Sequence, residues 1–517
     1  MSEYLAETRN RAALTGAVSV GLALGLTELA TGIFDNLPWL PVAAADRVID
    51  FTPAPVVHFA ISVLGTNDKL FLVSAIVLLL LWLGAQVGQM SSKRGWWFGL
   101  LALAGLGVVG AFSAAVEQGA SIPLVAVTTL AAVAAGGLAL YALLRVGGVS
   151  PAPKAQKEDE EFQGSRRQFL GLLGGLALIA LAAGVGGRAL ATHAAEVTRN
   201  LVRLPRPAQP APPVPTGASL SVDGITEIVT PNDAFYRIDT AIDIPQVVDS
   251  STWSLNIKGM VDRPYKLSFA DLLSMRMVEE FVTLTCVSNE VGGNLAGNAR
   301  WLGVPLKDVL TQAGVKSGAT QLIGRSVDGF TVGIPTEAVF DGRVAMVAVG
   351  MNGVPLPSEH GFPARLVISG LYGYVSATKW LSELELTTFQ AFDSFWVQRG
   401  WSRQAPIKTE SRIDVPQNGN TLPAGKIAIA GVAWAQTRGI SQVEVQVDNG
   451  PWQEATLADP IGVNCWRQWV LYWQGNSGQH TVAVRATDGT GVTQTAQVEP
   501  PVPDGATGYH TIAVTVS

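Results

Sequence analysis

Cysteine and charge are both scarce in this chain, and each shortage excludes a class of protein. The 517 residues include two cysteines, Cys286 and Cys465, which are too few for a disulfide-dense secreted scaffold and are not spaced as a CxxC pair. Charged residues make up 15% of the chain, and the formal net charge is -6 without any Lys/Arg run. A nucleic-acid partner needs a basic surface, so this class is excluded.

Charge is scarcest in the first third of the chain, where Leu, Ala, Val and Gly dominate residues 11–145. A bilayer is crossed by about 20 apolar residues. Stretches of this kind occur near residues 12–33, 69–88, 95–116, 121–145 and 169–190. The segment 47–65 is interrupted by Pro53 and Pro55, so we interpret it as a re-entrant or interfacial helix. The sequence therefore predicts an α-helical transmembrane bundle of about five spans.

The positions of the cations predict how these spans are oriented. Positive charge in short loops marks the cytoplasmic side. The cations precede the first span, separate the second from the third, and precede the fifth: Arg9, Arg11, Lys93, Arg94, Lys154, Lys157, Arg166 and Arg167. With five spans, everything after about residue 190 lies outside. We predict a multi-pass protein of the cytoplasmic membrane, in contact with the lipid bilayer, with its N-terminus in the cytoplasm.

A second signal begins the fifth span, where the string Ser165-Arg166-Arg167-Gln168-Phe169-Leu170 precedes a Gly/Leu/Ala-rich run. This string resembles a twin-arginine export signal, which addresses a pathway for proteins that are already folded. The alternative is that the two arginines only enforce the positive-inside rule. Both explanations give the same topology.

The soluble half divides into two regions by its strand and turn patterns. Residues 200–217 are rich in proline and predict a stiff extended spacer. Alternating strands mixed with short helical stretches predict an α+β domain over residues 218–400. Five or more alternating strands without a helical stretch predict an all-β, immunoglobulin-like sandwich over residues 401–517. The preceding units are residues 1–150, the multi-span region, and residues 151–217, the linker with the fifth span.

Cys286 is the first candidate for chemistry. It follows a β-rich stretch and runs into a Gly/Asn loop, residues 291–294. A residue that leaves a strand into such a loop lies at the rim of a pocket, and a thiolate there is a soft ligand for a heavy metal. From the residues alone, a buried structural cysteine or a disulfide with Cys465 is an equally good explanation.

A set of motifs surrounds Cys286 between about residues 225 and 400. They are Thr283-Leu284-Thr285-Cys286-Val287-Ser288-Asn289, residues 299–306 (ARWLGVPL), Met351-Asn352-Gly353, His360-Gly361-Phe362-Pro363-Ala364-Arg365 and Thr378-Lys379-Trp380. In content and order these motifs resemble the molybdopterin domain of the sulfite oxidase family. The sandwich that follows is similar to the family's C-terminal dimerisation domain, which implies a homodimer.

The resemblance implies a molybdenum-molybdopterin cofactor, with Cys286 as the single protein ligand of the metal. His360 and Arg365 match the positions that grip the pterin and its phosphate, which suits the forked guanidinium. Three further residues match the segment that reaches the cofactor near its phosphate and pterin: Ser376, Thr378 and Lys379.

Aromatic and amide residues match the segment that lines the family's pocket: Asn232, Phe235 and Tyr236. Phe235 is equally well explained as a core residue. Tyr236 is also a candidate catalytic residue, because its hydroxyl could donate a hydrogen bond to the oxo group. Tyr372 and Tyr374 are alternatives for that role, although tyrosines more often serve packing.

Two departures from the family pattern concern the substrate. Sulfite oxidases follow the ligand cysteine with a basic run, whereas residues 287–291 here include Glu290. A second basic run is replaced by Arg237-Ile238-Asp239-Thr240. Part of the cationic pocket for sulfite is therefore missing or displaced. We expect a small neutral oxo donor or acceptor, such as a sulfoxide.

The chain has neither a recognisable haem motif nor an Fe-S cysteine set, and His58 is the only histidine of the multi-span region. We therefore expect no haem in this chain and a separate electron-transfer partner, either a quinone or a haem or other redox protein. An alternative function is a non-catalytic surface binding protein with a degenerate molybdopterin-type domain. A transporter is disfavoured because the spans lack paired charges and broken-helix repeats.

Overall fold

The structure is a computed structural model that describes residues 2–34, 37–64, 67–117, 120–148, 166–238, 246 and 248–517. The chain divides into two compact units. The first comprises residues 1–197 and 241–247, and the second comprises residues 198–240 and 248–517. Ser165, Lys154 and Lys157, which contribute to the predicted export signal and topology, lie outside the described residues.

The first unit is helical. Its helices are α1 (Ser2–Thr31), α2 (Leu40–Phe51), α3 (Ala54–Leu64), α4 (Asp68–Arg94), α5 (Trp96–Ala115), α6 (Ile122–Val146) and α7 (Arg166–Leu201), of which α7 continues into the second unit. Five of them, α1, α4, α5, α6 and α7, are long and apolar enough to cross a membrane by length and composition. They coincide with the five predicted apolar stretches. The segment 47–65 is divided between the short helices α2 and α3, which are separated at Thr52-Pro53.

Small residues set how closely the long helices pack. A Cβ at Gly16 of α1 would collide with the carbonyl of Gly84 of α4, and one at Gly88 with the carbonyl of Ala12. Backbones approach this closely only where a side chain is absent, as is typical of helix pairs in membranes. Packing therefore explains the glycines at these contacts, whereas Gly105 and Gly171 have no other atom of the described chain within 4 Å of an added Cβ and are not explained by it.

Two contacts bring together helix ends that the charge pattern assigns to the same side. The Arg11 guanidinium lies 5.9 Å from the ring of Phe169, so α1 and α7 begin at the same face. Arg47 of α2 forms an ion pair of 2.7 Å with Glu117, just after α5. Both pairs agree with the predicted alternation of loops.

The second unit begins with an α+β region built on two sheets, as the sequence predicts. One sheet has the order β2-β1-β10-β5-β6, with β1 (Ser254–Gly259), β2 (Tyr265–Ser268), β5 (Gln321–Ser326), β6 (Thr331–Pro335) and β10 (Leu381–Thr387). The other has the order β3-β4-β7-β8, with β9 beside β7. Its strands are β3 (Val278–Thr285), β4 (Ala296–Pro305), β7 (Ala345–Met351), β8 (Val354–Pro355) and β9 (Arg365–Ile368). The short helices are α8 (Phe269–Ser274), α9 (Leu306–Ala313) and α10 (Gly373–Ser376).

The C-terminal region is built of strands in two sheets. One has the order β11-β13-β17-β16 and the other β12-β19-β18-β14-β15. The strands are β11 (Glu410–Val415), β12 (Thr421–Leu422), β13 (Gly425–Trp434), β14 (Ile440–Val447), β15 (Gln453–Glu454), β16 (Thr456–Leu457), β17 (Arg467–Gly475), β18 (Gly478–Asp488) and β19 (His510–Val516). Residues of both sheets, among them Trp469 and Val482, share one buried core. Two packed sheets are consistent with the expected sandwich, and its immunoglobulin-like character stays a prediction.

The proline-rich segment, predicted as a stiff extended spacer, forms hydrogen bonds with the domain that follows it. Residues 202–215 contain no helix or extended strand, as their proline content favours, but they lie against the domain. The Ala208 amide donates to the Met277 carbonyl (2.9 Å), and the Glu279 amide donates to the Gln209 carbonyl (2.8 Å). The segment therefore covers the beginning of β3, an edge strand whose polar groups would otherwise lack partners.

Candidate functional site

Cys286 follows β3 directly and opens a closed loop, residues 286–295. Its amide donates to the carbonyl of Leu295 (2.9 Å), and its carbonyl accepts from the amide of Asn289 (3.1 Å). The Asn289 side-chain oxygen in turn accepts from the Leu295 amide (2.8 Å). The thiol is 8% exposed and stands on a backbone that is fixed at both ends of the loop. Such a support is what a metal ligand requires.

The C-terminal region stabilises the strand that carries this loop. β3 pairs with β4 along one edge. Near the end of the other edge, the Thr283 amide donates to the carbonyl of Asn464 (2.9 Å) and the Thr283 hydroxyl accepts from the amide of Trp466 (2.8 Å). The Gln436 side chain donates to the Thr283 carbonyl (2.8 Å). The position of Cys286 therefore depends on residues about 150 to 180 positions further along the chain.

The two cysteines are not paired. Cys286 and Cys465 are both buried free thiols, so the disulfide alternative is wrong. Cys465 donates to the carbonyl of Phe281 (3.4 Å), and burial raises its pKa to about 12. Burial also raises the pKa of Cys286, but hydrogen bonds from Ser288 and the charge of Lys379 act in the opposite direction. Only the Cys286 thiol has neighbours that favour a thiolate.

His360 lies in the same site, and one nitrogen of its ring has no hydrogen-bond partner in the part of the chain that the structure describes. Its Nε2 lies 2.8 Å from the backbone carbonyl of Asn232, which can only accept, so Nε2 carries the hydrogen and Nδ1 is an acceptor. Nδ1 is buried and has no partner among the described residues. Burial, with the nearby charges of Lys379, Arg365 and Arg237, lowers the pKa of His360 to about 3. A neutral buried acceptor of this kind calls for a donor from a bound group.

Two buried cations accompany His360. Arg365 is 4% exposed, and its Nη1 donates to the His360 carbonyl (3.1 Å). In the described part of the chain no carboxylate pairs with Arg365, and burial lowers its pKa to about 10, which leaves it charged at neutral pH. Lys379 is also buried, and its Nζ donates to the carbonyl of Glu359 (3.0 Å). The buried charge of Arg365 is costly unless an anion compensates it, so a phosphate fits this side of the site.

Gly361 allows the segment that carries His360 to approach Lys379 closely. It has a φ of +104°, and a Cβ added there would lie 2.9 Å from Cα of Lys379. A side chain at this position would strain the backbone and push Lys379 away. The glycine of the HGFP motif is therefore explained by the close approach of the two segments.

The aromatic pair Phe235 and Tyr236 lines the site, as the resemblance implies. Phe235 is buried, with its ring 5.8 Å from Trp301 and 5.5 Å from His360 in edge-to-face geometry, so it is also a core residue. Burial and the neighbouring Cys286 raise the pKa of Tyr236 above its usual range, while Arg365 acts against them. The Tyr236 phenol therefore stays protonated beside the thiol. Asn232 contributes the carbonyl that orients His360.

Four other predicted hydroxyls have partners within the protein. Ser376 donates to backbone carbonyls at 3.0 Å, Thr378 to the carbonyl of Gly324 (3.4 Å), Tyr374 to the carbonyl of Ser402 (2.6 Å) and Tyr372 to Glu410 (3.2 Å). Among the described residues the Tyr236 hydroxyl has no such partner, so of the three tyrosines it is the one left for the site. Whether Ser376 and Thr378 touch the cofactor stays a prediction. Glu290 is exposed on the loop after Cys286.

Two residues of the site, Asn289 and Glu410, were not predicted as functional from the sequence. Asn289 closes the Cys286 loop through two hydrogen bonds, and in a third its side chain donates to Glu410 of β11 (3.3 Å). Asn289 stands in the quoted motif, which was its only signal. Glu410 lies in the C-terminal strands, 121 residues away from Asn289, and nothing in the sequence connects them.

Comparison with known proteins agrees with this geometry. The family model described as the oxidoreductase molybdopterin binding domain matches residues 241–396. Mitochondrial sulfite oxidase of Rattus norvegicus is 30% identical over 290 residues, covering 47% of this chain and 52% of that protein. The uncharacterized oxidoreductase YuiH of Bacillus subtilis is 35% identical over 159 residues, covering 31% of this chain and 77% of that protein. The chain thus spans about half the length of the sulfite oxidases it matches.

A solved structure shares the fold. The sulfane dehydrogenase SoxCD of Paracoccus pantotrophus aligns with a TM-score of 0.50 at 22% identity, covering 57% of this chain and 84% of that one. The site and these matches define a molybdopterin-binding oxidoreductase domain. The chain belongs to the sulfite oxidase family of molybdenum-dependent oxidoreductases. Asn232, Phe235 and Tyr236 precede the matched family model, so their roles depend on the geometry described above.

Proposed function

We propose that this protein is a membrane-anchored molybdopterin-dependent oxidoreductase that transfers an oxo group to or from a small substrate in a two-electron reaction. The observation that carries the proposal is the grouping of the Cys286 thiol, the unsatisfied Nδ1 of His360 and the buried cations Arg365 and Lys379. A thiolate ligand, a lone acceptor and the buried guanidinium of Arg365, which pairs with no carboxylate of the described residues, together match a metal held by a phosphorylated pterin.

Each of these groups has a chemical counterpart in the cofactor. Cys286 would supply the protein ligand of molybdenum, which prefers a soft sulfur donor. His360 Nδ1 would accept from an N–H of the pterin, and Arg365 with Lys379 would hold its phosphate. When bound, the cofactor supplies the two-electron redox chemistry and oxo exchange, and the protein supplies orientation and electrostatics.

Tyr236 is the residue of this chain best placed to act on the substrate. Its pKa is raised by burial and by the neighbouring thiol, so it keeps its proton across the physiological range and remains able to donate a hydrogen bond. A protonated phenol beside Cys286 would orient an oxygen of the substrate and stabilise the charge that develops on it.

A neutral substrate, such as a sulfoxide, fits the charges of the site better than sulfite. The segment after Cys286 has Glu290 in place of the family's basic run. The nearest buried cations, Arg365 and Lys379, adjoin His360 on the side assigned to the cofactor phosphate, which would neutralise them. Little positive charge is then left to attract a dianion.

The membrane location follows from the five apolar helices and from the distribution of cations. We place the N-terminus in the cytoplasm and the catalytic domain outside, with the arginines at the start of α7 acting as a twin-arginine signal for export of a folded, cofactor-loaded domain. A reporter that is active on only one side of the membrane, fused after Ser517, tests the orientation. Activity on the cytoplasmic side would contradict it.

Electrons require a partner outside this chain, either a quinone or a haem or other redox protein. A dimer through the C-terminal sandwich, of immunoglobulin-like type, is a further part of the proposal. The alternative of a degenerate, non-catalytic domain would require the site to have decayed, whereas Cys286, His360, Arg365 and Lys379 are all present and grouped.

Metal analysis tests the proposal directly. The full chain, purified in detergent from a host that makes the cofactor, is expected to contain about one molybdenum per chain. Steady-state assays with a reduced dye and a sulfoxide, and with sulfite and an oxidised dye, then test the substrate class. Absence of molybdenum would contradict the function, and a wide preference for sulfite would contradict only the neutral substrate.

A further inference from the structure

Strand β11 of the C-terminal domain contacts the loop that carries Cys286. Because side chains alternate along a strand, residues 410 and 412 point to one face and residue 411 to the other. Glu410 accepts from Asn289 Nδ2 (3.3 Å), and Arg412 Nη1 donates to the carbonyl of Gly293 (2.9 Å). Ser411 donates instead to Gln494, within the C-terminal domain (2.7 Å). The side chains on one face of β11 therefore form hydrogen bonds with the Cys286 loop.

Glu410 joins two segments that flank the thiol. Its other oxygen accepts from the Tyr372 hydroxyl (3.2 Å). Tyr372 precedes Gly373, the first residue of α10. A Cβ built at Gly373 would lie 3.8 Å from the carbonyl of Thr285 and 3.9 Å from the hydroxyl of Tyr236. Glu410 thus holds the loop after Cys286 with one oxygen and the segment beside Tyr236 with the other.

Burying a carboxyl group at this position costs desolvation free energy. Glu410 is 4% exposed, and an apolar residue would be buried there without loss of solvation. A buried polar group is favourable when its hydrogen bonds select one arrangement of the segments it joins. Both oxygens of Glu410 have donors, and the two donors come from different segments.

We propose that Glu410 is a positioning residue for Cys286. By holding Asn289 and Tyr372 together, it fixes the loop 286–295 against the α10 segment, and so sets the directions of the thiol and of the Tyr236 hydroxyl. The C-terminal domain then acts on the geometry of the site itself. The inference rests on the proposed function for the nature of the group that the thiol binds, and on the hydrogen bonds alone for the positioning.

The test compares four variants of the full chain, purified from a cofactor-competent host: Glu410→Ala, Glu410→Gln, Tyr372→Phe and the matched control Ser411→Ala. The readouts are molybdenum content, the paramagnetic signal of the partly reduced metal, and amide hydrogen exchange of residues 286–295. Loss of one or two hydrogen bonds to the loop is expected to speed its exchange about tenfold in Glu410→Ala.

Glu410→Ala is also expected to shift the paramagnetic signal, because the direction of the thiol changes. Glu410→Gln can still accept from Asn289 and is expected to restore both readouts to near the wild type. Tyr372→Phe, which deletes one hydroxyl, is expected to shift the signal in the same direction as Glu410→Ala by a smaller amount. Ser411→Ala should leave the signal and the exchange of the loop unchanged.

The outcomes separate this inference from the proposed function. A wild-type chain without molybdenum would contradict the function, while the exchange of the loop would still report on the positioning. A wild-type signal and wild-type exchange in molybdenum-loaded Glu410→Ala would overturn the positioning role. If Glu410→Ala does not fold, Tyr372→Phe decides: an unchanged signal and unchanged exchange there would overturn it equally.

Discussion

The two cysteines of this protein share almost every local property and differ in what surrounds them. Both are buried, both are free thiols, and both belong to the same part of the fold, since Cys465 contacts the carbonyl of Phe281 on β3, the strand that Cys286 follows. Cys465 has a backbone carbonyl as its partner and the charge of Glu280 nearby. Cys286 has hydrogen bonds from Ser288 and the positive charge of Lys379.

This difference teaches that residue type and burial do not define a metal site. Burial raises the pKa of both thiols and by itself disfavours the thiolate that a metal needs. Donors and cations around Cys286 oppose that effect, whereas the surroundings of Cys465 reinforce it. The donors and cations around Cys286, rather than the cysteine itself, therefore define the candidate metal site.

The largest expected effect is a loss of turnover, and it distinguishes Cys286 from Cys465. Cys286→Ser is expected to reduce turnover more than about 100-fold, since even residues that only support metal ligands contribute 10- to 100-fold. Cys465→Ser, the matched control, should keep wild-type molybdenum content and turnover. Metal analysis and steady-state kinetics check both variants. Equal loss in the two would mean that the thiols are not functionally distinct.

The second effect concerns the hydroxyl beside Cys286. Tyr236→Phe keeps the ring and removes the hydrogen-bond donor, so kcat is expected to fall about 100-fold, the lower end of the range for a lost donor or proton-transfer group. Molybdenum content should stay at the wild-type level, as the metal content and kcat measured on the same preparation will show. Tyr374→Phe, whose hydroxyl has the Ser402 carbonyl as its partner, is the control.

The third effect concerns the cations that distinguish the surroundings of Cys286. Arg365→Lys keeps a charge but loses the planar fork, and hydrogen bonds to charged groups contribute about 1.5–3 kcal/mol each. We expect the cofactor to be retained about tenfold less well during dialysis. The surface residue Arg403, paired with Asp393, provides the control Arg403→Lys. Full cofactor retention in Arg365→Lys would argue against a phosphate at this position.

The smallest effect concerns the pH dependence of stability. Burial raises the pKa of Glu410 to about 8, from an ordinary value of 4.5. Between these values the native state holds a proton that the unfolded chain releases, so stability falls as pH rises, by up to about 1.4 kcal/mol per unit. The groups that face Glu410 are Tyr372, Asn289 and Lys408, and Lys408 is itself paired with Asp504 (2.8 Å).

Glu410→Gln cannot release this proton. Its Tm in detergent should therefore decline less between pH 5 and pH 8 than that of the wild type, while Ser411→Ala should follow the wild type. Parallel pH curves for Glu410→Gln and the wild type would show that the Glu410 carboxyl does not titrate in this range.

The sequence predicted those features that depend on local pattern. The five long helices follow from runs of apolar residues, because a span must satisfy its own backbone and bury no charge. The turn at Asn352-Gly353 follows from the positive φ that both residues adopt (51° and 85°). Cys286, His360 and Arg365 follow from motifs whose order matches the family.

Contacts between distant segments escaped prediction. The proline content predicted a stiff extended spacer, but extension alone does not show whether a chain lies in water or along the edge of a strand. The disulfide alternative was open for the same reason, since spacing alone cannot tell whether two thiols face each other.

What the amino-acid sequence determined by itself is the order of the parts: apolar helices, a molybdopterin-type domain and an all-β C-terminal region. Periodicity and motif order encode these locally. Tertiary structure alone decided which of two buried thiols faces cations, which of three tyrosines is left for the site, and that Glu410 reaches the Cys286 loop. Each of these depends on distances between residues far apart in the chain, and folding sets those distances through packing that no local pattern records.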